Sequence, residues 1–112
     1  MSLFGKRMKE ARLRAGLSQE RLGVLAGIDE MSSSARMNQY ERGKHEPDFS
    51  LVERVAQVLE VPECYFYCKE DDLAVLLVRL HRIPMDKRRP VVDAIERVLH
   101  ESEDAWEPDD QG

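Results

Sequence analysis

The chain has 112 residues, of which 42% are hydrophobic, 6% aromatic and 35% charged. This suits one domain around a single core and disfavours an extended sheet, since no segment alternates polar and apolar residues for long. No apolar run approaches the roughly eighteen residues of a spanning helix. The N-terminus MSLFGKRMKE is charged too early for a signal peptide, so a cytoplasmic protein with no membrane partner is expected. The net charge of −5 argues against a polyanionic partner, but the charges are unevenly spread. Residues 1–47 carry nine Lys/Arg against six Asp/Glu, and residues 48–112 carry eight against sixteen. One end of the molecule therefore stays available to phosphate.

Phe4, Met8 and Ala11, with Leu13 beyond them, recur near helical spacing and predict a first helix from about Leu3 to Ala15. Gly16 suits the left-handed residue that ends it. Ser18 reads as the N-cap of a second helix, QERLGVLAG, with Leu22, Leu25 and Ala26 facing inward and Gly27 closing it. The following IDEMSSS is loop-like in composition. Ser33 or Ser34 then caps a third helix, roughly SARMNQYERG, ending at Gly43. Only Ala35, Met37 and Tyr40 give it apolar surface, so its remaining polar side chains are expected to work at the surface.

Lys44 to Pro47 connects to a fourth helix, capped by Asp48 or Ser50. Its broad apolar face comprises Leu51, Val52, Val55, Ala56, Val58 and Leu59. Pro62 suits the first position of a short fifth helix, PECYFY, whose Tyr65 and Phe66 are expected to seal the core. Glu70, Asp71 and Asp72 mark a boundary and an acidic helix start. In LAVLLVRLHRI, Leu73, Leu76, Leu77 and Leu80 line one face while Val75 and Val78 occupy another. Such a helix needs two partners: the core, and either a second subunit or the last helix. That last helix runs from about Asp86 to His100 with a stripe of Val91, Val92, Ile95, Val98 and Leu99. The expected organisation is a domain over 1–69, a helical extension over 70–100 and an acidic, fraying tail over 101–112.

Cys64 and Cys68 stand at i,i+4 with no second ligand cluster, so they read as two thiols in a short apolar helix and not as a metal site. His45, His81 and His100 are scattered. No catalytic constellation or phosphate-cradling glycine loop occurs. The expectation is not an enzyme, with no metal, no cofactor and no small-molecule ligand evident.

Two short helices joined by a turn within a helical bundle match the unit that inserts its second helix into a major groove. At Arg12 to Gly16, Leu17-Ser18-Gln19, Gly27, Tyr40-Glu41-Arg42-Gly43-Lys44, Pro47 and Val61-Pro62 the chain resembles the Xre, lambda-repressor and Cro-like helix-turn-helix regulators. The resemblance covers about residues 4–67. It implies an all-α, lambda-repressor-like five-helix DNA-binding domain, which the chain's own apolar pattern continues with a C-terminal two-helix extension. It further implies transcription regulation by a homodimer that binds double-stranded DNA at a palindromic operator through residues 19–42. Dimerisation is expected through Leu73–Leu99.

Carried over residue by residue, the resemblance gives Gln19 a phosphate, held together with the second helix's exposed amides. It gives Ser33, Ser34, Ala35, Arg36, Asn38 and Gln39 groove-facing positions. Arg36 would read guanine, Asn38 or Gln39 adenine, and Ala35 a thymine methyl. Arg42 and Lys44 would grip the backbone, and Arg12 and Glu41 look like the family's internal ion pair. The family usually has Ala at position 23, where this chain has Gly. The stretch from Gly27 to Glu41 is about four residues longer than the common spacing. That extra length is expected to lengthen the turn over Asp29–Ser34, with Asp29 and Glu30 bending away from phosphate. The segment Met31–Glu41 is also similar to a subset of restriction–modification controller proteins. An alternative from another class is a protein-interaction module, such as an antitoxin or anti-repressor on the same fold.

Overall fold

The computed structural model describes residues 2–102 and Trp106. Its elements are helices α1 (Leu3–Arg14), α2 (Gln19–Leu25), α3 (Glu30–Glu41) and α4 (Phe49–Leu59), a 3-10 helix (Glu63–Tyr67), then α5 (Asp71–Arg82) and α6 (Met85–His100). No strand occurs among the described residues, and no helix among them is long and apolar enough to cross a membrane. The chain divides into two compact units, residues 1–82 and 83–112. The first unit includes α5, where Ala74 is fully buried and Val78 packs on the core.

Local chemistry explains where the first four helices begin and end. The side chains of Ser2, Ser18 and Asp48 each accept a hydrogen bond from the third amide that follows, capping α1, α2 and α4. Asp48, not Ser50, is therefore the cap of α4. At the end of α2, Gly27 takes φ +94°. Its amide bonds to Val24 and that of Ile28 to Gly23. This paired pattern satisfies the last carbonyls and swings Ile28 back into the core. The same pattern ends α1 at Leu17 and α3 at Lys44.

The core of the first unit is built from every element within it. Met8 and Ala11 come from α1, Leu22 and Ala26 from α2, and Met37 and Tyr40 from α3. Leu51, Val52, Val55, Ala56 and Leu59 come from α4, with Val61, Tyr65, Phe66 and Ala74 closing the base. Tyr65 and Phe66 seal the core as the sequence suggests, although PECYFY forms a 3-10 turn and not an α-helix. The Phe4 and Phe66 rings pack in a tilted arrangement, 4.9 Å between centroids and 45° between planes. In the second unit α6 has no buried residue, and Val98 and Leu99 are exposed. The acidic tail lies outside the described residues except Glu101, Ser102 and an exposed Trp106.

Three expectations need correction. Leu25 is 45% exposed, because it lies on the outer side of a helix only seven residues long. Arg7, whose charge would ordinarily keep it solvated, is buried. It donates to the carbonyls of Cys68 and Lys69 and pairs with Asp71 at 2.9 Å, tying α1 to the start of α5. Burial opposes its charge, but hydrogen bonds to Asp71 and Glu10 outweigh this and hold its pKa above the ordinary arginine value. The third correction concerns IDEMSSS, which is helical from Glu30 onward and alters the candidate site directly.

Candidate nucleic-acid interface

The four extra residues between Gly27 and Glu41 extend α3 by one turn and do not lengthen the loop. Asp29 occupies the N-cap position and Glu30 the first turn, where acidic groups favour the positive helix end. Both are exposed at the tip of α3. Ser33, Met37, Tyr40 and Glu41 form the buried face of the helix, at i, i+4, i+7 and i+8.

Ser33 is therefore not a groove-facing residue. It is fully buried, and its hydroxyl donates to the Glu20 carbonyl of α2 at 2.8 Å. Gly23 makes this approach feasible: a Cβ there would lie 2.0 Å from Ser33 Oγ and 2.8 Å from Met37 Cγ. The small residue at position 23 thus lets the Ser33 and Met37 side chains of α3 pack directly on the α2 backbone. Gly5 likewise lets α1 approach the α3 backbone, since a Cβ would meet the Glu41 carbonyl oxygen at 2.2 Å.

A buried polar network holds these three helices in register. Arg12 Nε and Nη2 donate to the Glu41 carboxylate at 2.6 and 3.2 Å, and Arg12 Nη1 donates to the Leu17 carbonyl. This is the ion pair that the resemblance implies. Gln19 Nε2 donates to Glu41 Oε1 at 3.1 Å and to Asn38 Oδ1 at 3.3 Å. Both amide protons of Gln19 are thus directed at α3, and its side chain braces Asn38.

The other implied residues lie outside the buried face of α3 or beyond its end. Ser34, Ala35, Arg36 and Gln39 are exposed along α3, and Asn38 is half-buried beside Gln19. Arg36 Nη2 donates to the Tyr40 hydroxyl at 2.9 Å, and its guanidinium lies 5.9 Å from the ring centroid. This contact steadies a long side chain at low cost in freedom. Arg42 and Lys44 are exposed where α3 ends. Met31 was absent from the implied set because a run of serines reads as loop. It is 92% exposed on the first turn of α3.

The family model for a helix-turn-helix domain matches residues 3–64. The chain belongs to this helix-turn-helix family. The crystal structure of the transcriptional regulator BswR is similar with a TM-score of 0.79 and 47% identity, over 86% of this chain and 95% of that one. An HTH-type transcriptional regulator of Sinorhizobium medicae (strain WSM419) is 32% identical over 63 residues, 56% of this chain and 42% of that protein. The SPbeta prophage-derived HTH-type transcriptional regulator YonR of Bacillus subtilis (strain 168) is 34% identical over 59 residues, 53% of this chain and 51% of that protein. The chain spans about half the length or less of these curated relatives.

Proposed function

We propose that this chain binds double-stranded DNA sequence-specifically and regulates transcription, as a cytoplasmic regulator of the Xre, lambda-repressor and Cro-like kind. The observation that carries this reading is the division of labour on α3. Its inner face is locked by Gly23, Ser33 and the Arg12–Glu41–Gln19 network. Its outer face exposes Ala35, Arg36 and Gln39 with no charged partner for the guanidinium among the bonds described. A recognition helix needs this combination of rigid seating and accessible donors and acceptors.

In this reading Arg36 donates two hydrogen bonds to guanine, and Asn38 or Gln39 pairs with adenine. Ala35 meets a thymine methyl, while Ser34 reaches a base edge. Arg42 and Lys44 neutralise phosphates, and Gln19 stands beside a phosphate while orienting Asn38. The protein acts as a homodimer on a palindromic operator, with half-sites about one helical turn apart. Leu73 and Leu76 of α5 are exposed, as are Val98 and Leu99 of α6, and the apolar residues of each helix, taken by themselves, suit a self-complementary contact. Controller proteins of restriction–modification systems are the more particular class to which the chain is similar in the Met31–Glu41 segment.

Selection of bound duplexes from a random pool tests the proposal. The expected product is a consensus with two-fold symmetry. Failure to enrich any duplex at low salt would instead favour a protein-interaction module such as an antitoxin or anti-repressor, a reading to which the net charge of −5 lends some support.

A further inference from the structure

We propose that Met31 is a specificity-determining residue that reads the C5-methyl group of a thymine in the major groove; this rests on the DNA-binding reading above. A single exposed methionine needs no explanation by itself. Its position does. Met8 and Met37 are buried in the core and Met85 is exposed at the start of α6, whereas Met31 stands 92% exposed on the first turn of α3, the helix of the candidate interface. It heads a ridge formed with Ala35 and Gln39 at i, i+4 and i+8, directly opposite the buried face of Ser33, Met37 and Tyr40. The N-terminal residues of a recognition helix are those that reach base edges. The additional turn of α3 therefore places an apolar side chain where the groove floor would be met first.

The chemistry then selects the base. A thioether has no hydrogen-bond donor and only a weakly accepting sulfur, so it is a poor partner for the polar edges of guanine, adenine and cytosine. Thymine is the base with a methyl group on the major-groove edge, and apolar side chains are its ordinary partners. Methionine is flexible and polarisable, so it fits such a group without demanding exact placement. One turn of helix separates Met31 from Ala35, about 6 Å along the axis. The thymine read by Met31 thus lies within about two base steps of the position met by Ala35.

The test replaces thymine by deoxyuridine, one position at a time, in the duplex obtained by selection, with affinity measured for the wild-type chain and for Met31→Ala. Removing one buried methyl weakens binding about fourfold. The expectation is one position at which deoxyuridine weakens the wild type by that factor and leaves Met31→Ala unchanged, with Met31→Leu restoring most of the sensitivity. Because Met31 is exposed, circular dichroism should show Met31→Ala folded as the wild type. If every thymine responds equally in the two proteins, or none responds in either, Met31 has no reading role although DNA binding stands. If no duplex is enriched, both proposals fall.

Discussion

Ser33 Oγ donates to the carbonyl oxygen of Glu20 at 2.8 Å, in the space left by the missing side chain of Gly23. This contact fixes the distance between the two helices of the candidate interface, and its consequences are directly measurable. Gly23→Ala raises helix propensity by about 1 kcal/mol, yet its Cβ would displace Ser33 Oγ and press on Met37. Overpacking of this kind costs about 1–3 kcal/mol. Urea denaturation should show Gly23→Ala to be net destabilised. The penalty should shrink when Ser33→Ala is combined with it, giving a clear coupling in the double-mutant cycle.

The Arg12–Glu41 pair should behave as a buried ion pair, because both side chains are almost entirely enclosed. Removing one partner leaves an uncompensated charge and costs about 3–5 kcal/mol. Glu41→Ala should therefore lower the denaturation midpoint strongly. The double change Arg12→Met, Glu41→Leu should recover much of that loss, since an apolar replacement removes both desolvation costs. A small effect of Glu41→Ala would mean that water reaches the pair.

The candidate readers divide into two kinds with different signatures. Arg36→Ala should cost about 1–3 kcal/mol and relax preference at one operator position. Lys44→Ala should weaken all duplexes uniformly and reduce the salt slope by about one. Gln19→Ala should loosen Asn38, to which it donates, and blur preference at the position Asn38 reads without changing the charge count. Competition binding against single-base operator variants, repeated at several salt concentrations, separates these outcomes.

Tyr65 at the base of the core, with the more exposed Tyr67 nearby, should set an alkaline limit. Burial raises the pKa of Tyr65, with Glu10 reinforcing the effect, and burial likewise raises that of Tyr67. A folded-state pKa above the unfolded value near 10 gives stability that is fully present below about pH 10. It is lost as pH rises through the folded-state values, because the unfolded chain ionises first. Melting temperature should be insensitive to these groups at neutral pH and fall above about pH 10. Tyr65→Phe should make that fall shallower, at the expense of the hydrogen bond from its hydroxyl to the Arg7 carbonyl.

Much of the head was legible because short-range chemistry decides it. Gly16, Ser18, Gly27 and Asp48 act as the cap and turn residues their types suggest. The α4 stripe and Met8 and Ala11 of α1 bury as their spacing implies, with Phe4 and Val58 partly buried, whereas Leu13 is exposed. The register of α3 was not legible. Three consecutive serines favour loop locally, whereas Asp29 and Glu30 suit a helix start and Ser33 packs against Gly23 and Glu20 within the helix that follows. Tertiary contact overrides propensity here. The same cause hid two side-chain roles. Ser33 looked like a groove residue and is a packing residue, while Met31 looked like loop and is an exposed helix position. The burial of Arg7 was equally hidden, since its partners, the Cys68 and Lys69 carbonyls and Asp71, lie about sixty residues away.

The central claim is that α3 reads base sequence, and one measurement meets it most directly. Equilibrium affinities of the purified chain are determined for the selected duplex and for a random duplex of equal length, across a range of salt concentrations. The expected result is log affinity falling linearly with log salt for both, with the selected duplex about a thousandfold or more tighter at physiological salt. Equal affinity for the two duplexes, or no association with either at low salt, would contradict the account.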